Sequence, residues 1–306
     1  MNEDLAVRLN RREYTNWLKA GQCLYILKDA ILPFIDEQMR AFHGGLLREK
    51  PRLREHCQNS CHPRNIELSQ ACRLCLEWKS EILKHHIQRH PTLYWGNCTP
   101  SSWRTDHWEV AKAYMPRGQV HVTAETCDPS ALLNLINYCD WFASVNVKTT
   151  YVRELIKCRN ELMHSGNLGV TDQWMKNFKV AMKRFLQLFR HVPCMAPAEE
   201  KINQMLAVDL SIFATGLHAV DSTDMHALDS DSVSKPDISL DLISQWEADL
   251  LQERLRELRH TAEEPTTDKE QLKMLDGFLQ ENKDLSERFC AELQAIGSLA
   301  ACNWKS

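Results

Sequence analysis

The chain has 306 residues, 43% of them hydrophobic and 25% charged, which is enough for one large or two ordinary globular domains with real hydrophobic cores. The acidic start MNEDLAVRLNRREY and the lack of any apolar run of about 18 residues exclude a secretory leader and a membrane span. A soluble cytoplasmic or nuclear protein is therefore expected, whose twelve cysteines are reduced thiols, some of them metal ligands, rather than a disulfide framework.

The net charge of −4 hides a split. Residues 1–191 hold 27 Lys+Arg against 19 Asp+Glu, about +8, and residues 192–306 hold 10 against 22, about −12. A basic part followed by an acidic one is what a polyanion-binding protein needs, because neutralising phosphates with Lys and Arg is the main sequence-independent term in nucleic-acid affinity. Solubility alone accounts for the same split.

In chain order, residues 5–46 read as helix, with Leu24, Leu27, Ile31, Phe34, Ile35 and Phe42 at helical spacing, a kink at Pro33 and weakening order at His43-Gly44-Gly45. Next come Cys57 and Cys61, then Cys72 and Cys75, in the pattern C-x3-C, ten residues, C-x2-C. Two close thiolate pairs across a short loop fit one tetrahedral structural zinc ion. Cys72 and Cys75 fall at the start of a predicted helix, where the dipole favours thiolate. His56, His62, His85, His86 and Cys98 are the alternative ligands, and small buried hydrophobes are the alternative reading of the cysteines themselves.

Trp78, Trp95, Trp103 and Trp108 follow, four of the nine tryptophans, and read as a local core ahead of a base-stacking surface. Arg104, Lys112 and Arg117 beside them read as solvated charges. Asp128-Pro129 predicts a helix start for residues 130–142, and Thr171 caps a later helix with a stripe of Trp174, Phe178, Met182, Phe185 and Phe189. Lys176, Lys179, Lys183 and Arg184 line that helix's other side, as a solvated face or a phosphate contact. Residues 214–241 lose hydrophobic periodicity and read as a flexible linker. Beyond it, Leu240 to Leu258 and Leu272 to Ile296 form two apolar stripes, the second opened by a Thr267/Glu270 capping box and broken between Leu279 and Leu285. They predict a coiled-coil-like helical hairpin that packs on the main domain or on a partner protein.

Between these parts lies YVRELIKCRNELMHS, residues 151–165, with Val152, Leu155, Ile156, Leu162 and Met163 on one stripe and Ser165-Gly166-Asn167 as stop chemistry. A permanent cation, a carboxamide and an imidazole, Arg159, Asn160 and His164, thus gather at a helix end. This run resembles the R-x4-H motif of the HEPN superfamily of helical domains. With NYCDWF before it and WEVAKAYMPRG upstream, most of residues 1–190 looks like the uncharacterised X-chromosome open-reading-frame family, which carries a HEPN domain of the DAZ-interacting zinc-finger protein type.

The resemblance implies an all-α, HEPN-like bundle that dimerises so that two motifs face each other. Active superfamily members cleave RNA without a metal, through attack of the 2′-hydroxyl on the adjacent phosphate, leaving a 2′,3′-cyclic phosphate. In that scheme His164 is the general base or acid, Arg159 holds the phosphate and Asn160 orients either. In an unbroken helix Arg159 and His164 stand five steps apart, about 140° around the axis at ~100° per residue, so they converge only if the helix ends near Ser165. The expected organisation is a HEPN-like domain over 1–209 with a zinc module at about 55–115, an acidic linker over 210–238 and a hairpin over 239–302. Two functions are expected: RNA binding, with endoribonucleolysis as its catalytic form and binding ranked ahead of cutting, or a noncatalytic dimerising adaptor.

Overall fold

The computed structural model describes residues 2–59, 61–63, 66–68, 71–89, 91–211, 238–262 and 269–295. The predicted linker at 210–238, the Thr267 end of the capping box and Ile296 lie outside the described residues, save for the linker's first two positions and its last. Every regular element among the described residues is helical, apart from isolated bridge positions such as the antiparallel pair His86 and Cys139. The all-α expectation holds.

Two compact units divide the chain: Met1–Gln22 with Glu161–Lys176 and Gln204–Ser306, and Cys23–Asn160 with Asn177–Asn203. In the first unit, α1 (Asn2–Leu9) ends where Asn10 and Arg11 turn back on Val7 and Arg8, so the helix expected over 5–46 is broken there. Helix α2 (Arg12–Glu49) contributes its opening turns, and Tyr14, Trp17 and Leu18 are fully buried. The Trp17 indole donates to Leu162 O at 3.1 Å, and the Tyr14 ring stacks on Phe278 with centroids 6.0 Å apart.

The C-terminal helices of this unit are α10 (Leu240–Ala262), α11 (Lys269–Glu281) and α12 (Lys283–Arg288). Ile243, Leu250, Leu251, Leu255, Leu275, Leu279 and Leu285 are buried, as their spacing predicts. Leu250 closes so tightly on Gly21 that a Cβ there would meet its side chain at 2.4 Å. The hairpin packs on the chain's own N-terminal residues. The break foreseen between Leu279 and Leu285 falls at Asn282, whose amide donates to Phe278 O at 2.7 Å.

In the second unit α2 continues, burying Leu24, Leu27, Ile31, Ile35, Met39, Phe42 and Leu46 at steps of three and four. It runs through Pro33 and also through Gly44-Gly45, where weakening was expected. Tertiary contacts override the glycine cost: His43 Nε2 lies 2.7 Å from Trp103 O and its ring stacks on Trp78. Helix α3 (Arg73–Lys84) and the short α4 (His107–Ala111) follow, with Asp106 capping the latter by accepting from Trp108 N at 2.8 Å.

Trp78, Trp95, Trp103 and Trp108 are all buried, as expected of a local core; Trp78 and Trp95 pack on Trp103, and the Trp108 indole donates to Asp36 Oδ1 at 2.6 Å instead. Lys112 is not solvated: it is buried, paired with Glu109 at 2.6 Å and bonded to Val120 O at 2.7 Å. Asp128 caps α5 (Pro129–Tyr138) by accepting from Ala131 N at 2.7 Å. That helix stops short of the expected residue 142, because Cys139 leaves it to bridge to His86, and α6 (Trp141–Ser144) restarts it. Helix α7 (Thr149–Met163) carries the motif, and α8 (Asp172–Leu188) is capped by Thr171, which accepts from Trp174 N at 3.2 Å. Leu24, Leu27 and Ile31 of α2, Leu132 and Leu133 of α5 and Phe185 of α8 converge on one small crevice in the core. Helix α9 (Met195–Ala207) completes the order.

Candidate functional site

The four cysteines come together. Cys57 Sγ lies 3.7 Å from Cys61 Sγ, 3.7 Å from Cys72 Sγ and 3.5 Å from Cys75 Sγ, and all four sulfurs fall within 4.8 Å of one another. Four Zn–S bonds of ~2.3 Å at tetrahedral angles place sulfurs about 3.8 Å apart. The cluster therefore has the dimensions and donor chemistry of a closed four-thiolate centre.

Local sequence builds it. Cys72 is the N-cap of α3, and its sulfur accepts from Cys75 N at 3.5 Å, while Cys61 Sγ accepts from Cys72 N at 3.2 Å. Burial pushes the Cys72 thiol up, but the Cys75 N–H and the neighbouring thiols outweigh it and bring it down to about 7. Burial and those same neighbours hold Cys75 up, and burial raises Cys61 as well. One thiolate thus forms readily, and a bound cation would be what keeps the other three ionised.

None of the alternative ligands joins the group, which is the single cluster of this kind among the described residues. His85 Nδ1 pairs with Asp140 at 2.9 Å, and His86 is stacked between tyrosines. Cys98 is fully buried elsewhere, its thiol raised by desolvation and by Glu109. His56 and His62 are exposed.

The motif residues are placed as follows. Helix α7 ends at Met163, so His164 opens the turn, two residues from Gly166. Arg159, in the second unit, is only 3% exposed, and its Nη1 lies 3.5 Å from the Asn160 side-chain oxygen; Asn160 itself is exposed. His164, in the first unit, is exposed, with Nδ1 2.8 Å from Gln271 Oε1 and 3.2 Å from Arg254 Nη1. Arg254 also donates to Gln271, and His164 Nδ1 either donates to Gln271 Oε1 or accepts from Arg254 Nη1, depending on the tautomer, so the ring is held on its Nδ1 side.

Sequence reasoning missed those two partners, 90 and 107 positions away. It also missed a buried ion cluster in the first unit. Arg8 Nε and Nη2 grip Glu247 at 2.6 and 2.8 Å, and Nη1 and Nη2 meet Asp284 at 2.9 and 2.8 Å. Nη1 also meets Asn282 at 3.1 Å, so all five guanidinium protons are used. Tyr14 donates its hydroxyl to the same Glu247. Burial alone would lower the Arg8 pKa, but the bonds to Asp284 and Glu247 outweigh it and raise the value; Glu247 is raised by burial despite its cation. The ion cluster holds the C-terminal helices to α1.

No helix among the described residues is long and apolar enough to cross a membrane. No solved structure matches the chain. It is similar to the Mus musculus protein named Uncharacterized protein CXorf38 homolog, 39% identical over 305 residues that cover 97% of this chain and 92% of that protein. That likeness agrees with the X-chromosome open-reading-frame resemblance. Residues 8–301 match the family described as Domain of unknown function (DUF4559), and the chain belongs to it.

Proposed function

We propose that this protein binds single-stranded RNA without cutting it, on a HEPN-type helical framework stabilised by one structural zinc ion at Cys57, Cys61, Cys72 and Cys75. The observation that carries RNA binding is the outer face of α8: Lys176, Lys179 and Lys183 are all exposed and stand three and four residues apart, opposite buried Phe178, Met182 and Phe185. Such a stripe meets successive phosphates of a strand and fits the basic balance of residues 1–191.

Binding is favoured over cleavage by Arg159. A phosphate clamp must reach its substrate, and a guanidinium 3% exposed is shielded from one. The zinc reading rests on the match of the sulfur spacings to a tetrahedral centre, and the absence of an open ligand position in a four-thiolate set makes the metal structural. A homodimer is the assembly in which HEPN motifs of two copies would face each other. The adaptor reading has less support, because the apolar stripes of α10 and α11 are spent inside the first unit.

The test is fluorescence anisotropy of a labelled single-stranded RNA across a salt series, with Lys179→Glu/Lys183→Glu beside the unaltered chain. Loss of two phosphate contacts flattens the slope of log affinity against log salt by about 1.4, at ~0.7 per contact, and weakens binding at least about tenfold. Equal affinity in the two proteins removes the α8 face as the binding surface, and no binding at low salt removes the RNA-binding reading in favour of the adaptor. Cyclic-phosphate products lost in His164→Ala would restore the catalytic one.

A further inference from the structure

A cleft of about 390 Å³ opens in the second unit beside Tyr94, Tyr114, Arg117 and Tyr138. Its walls are set by backbone pairing: besides the His86–Cys139 bridge, Ile87 N–H donates to Tyr138 O at 3.0 Å and Asp140 N–H to His85 O at 2.9 Å. That pairing stacks three rings. His86 lies nearly parallel to Tyr138, 5.1 Å away at 14°, and to Tyr114, 6.0 Å away at 13°. Tyr114 is the fixed end, buried and with its hydroxyl donating to Ile82 O at 3.0 Å. Tyr138 is the half-buried end.

Besides the tyrosines, His86, Gln88, Thr92, Arg117 and Asn134 bring polar side chains to the cleft. His86 Nδ1 accepts from Gln88 N–H at 3.1 Å, which puts the ring proton on Nε2, and burial lowers the imidazole pKa so that the ring is neutral at neutral pH. Asn134 donates its amide to Ser130 O at 2.8 Å, so its carbonyl oxygen is the acceptor it brings to the cleft. The Arg117 guanidinium lies 5.1 Å from the centroid of Tyr94. Tyr94 is itself seated on Gly96, where a Cβ would come within 2.8 Å of the ring.

We propose that this cleft is a nucleotide-binding site: one unpaired base packs against the Tyr138–His86–Tyr114 stack, with the phosphate on Arg117. A donor and an acceptor beside an aromatic wall match the edge and face of a base, and the cation matches its phosphate. The volume lies at the small-molecule end of binding cavities, which admits one nucleotide and excludes a duplex. The ligand is a nucleoside monophosphate unit, whether free or within a strand. Its presence within a strand rests on the RNA-binding reading above; the cleft's chemistry does not.

The full chain is titrated with nucleoside 5′-monophosphates by calorimetry and with a labelled single-stranded RNA by anisotropy, in parallel with Tyr138→Phe, Tyr138→Leu and Arg117→Gln, each checked for retained helicity. The expected result is that Tyr138→Phe keeps mononucleotide binding and that Tyr138→Leu and Arg117→Gln each weaken it about tenfold, with RNA affinity falling in step. Mononucleotide bound equally by all four proteins, or not bound by the unaltered chain at millimolar concentration, overturns the cleft even if RNA still binds through α8. Mononucleotide binding that follows the substitutions while RNA goes unbound upholds the cleft as a free-nucleotide site and removes the RNA-binding reading.

Discussion

At the scale of single residues, Arg8 shows how a charge is kept in an apolar interior: every proton has an acceptor, and two of the partners are carboxylates. Removing one member of such a set leaves buried charge without compensation, at a cost of about 3–5 kcal/mol. Arg8→Ala should therefore lower the melting temperature sharply in circular dichroism, whereas Arg8→Met/Glu247→Met should recover part of the loss. An unchanged melt in the single variant would mean that the cluster contributes nothing. None of this was legible in the sequence, since Arg8 and Glu247 are 239 positions apart and one arginine in a short helix carries no sign of its partner. His164 was legible as a residue at a helix end, but Arg254 and Gln271 were not, for the same reason. Cys57, Cys61, Cys72 and Cys75 were legible because a tetrahedral ion limits the spacings its ligands can have.

At the scale of elements, periodicity located α2, α7, α8 and α10, and cap chemistry placed the starts of α5 at Asp128 and α8 at Thr171. The misread ends have tertiary causes. Gly44-Gly45 did not weaken α2, because His43 is held by Trp103 and Trp78, and α5 stopped early because Cys139 pairs with His86. These contacts also predict a pH response. Burial lowers the pKa of both His43 and His86 from 6.5, so the unfolded chain takes up protons at a pH where the folded chain does not. Stability from this source is whole above pH 6.5 and declines as the pH falls below it. Melting temperatures measured from pH 7.5 to 5.5 should fall, and the fall should shrink in His86→Phe, which keeps a ring in the stack but cannot titrate. An equal fall in that variant would assign the effect to other groups. Asp36 acts in a lower range. Burial raises its carboxyl, but bonds from His107, Arg40 and Trp108 outweigh that and hold it at about 2 against 3.8, so its contribution is lost only between those values.

At the scale of the whole molecule, one chain combines a four-cysteine centre, a basic helix face and an aromatic cleft with a C-terminal segment that the first unit uses as part of its own core. The zinc proposal carries its own check. Cys72→Ser should abolish metal retention and lower the melting temperature as much as stripping the metal does, while Cys98→Ser, outside the cluster, should keep the metal. The measurement that reaches the central claim most directly is native mass spectrometry of the purified chain after incubation with a single-stranded RNA of defined length. The mass predicted is that of the chain with one zinc ion per copy and RNA of unaltered length. A metal-free chain that leaves the RNA unbound, or a complex holding only shortened RNA, would contradict it.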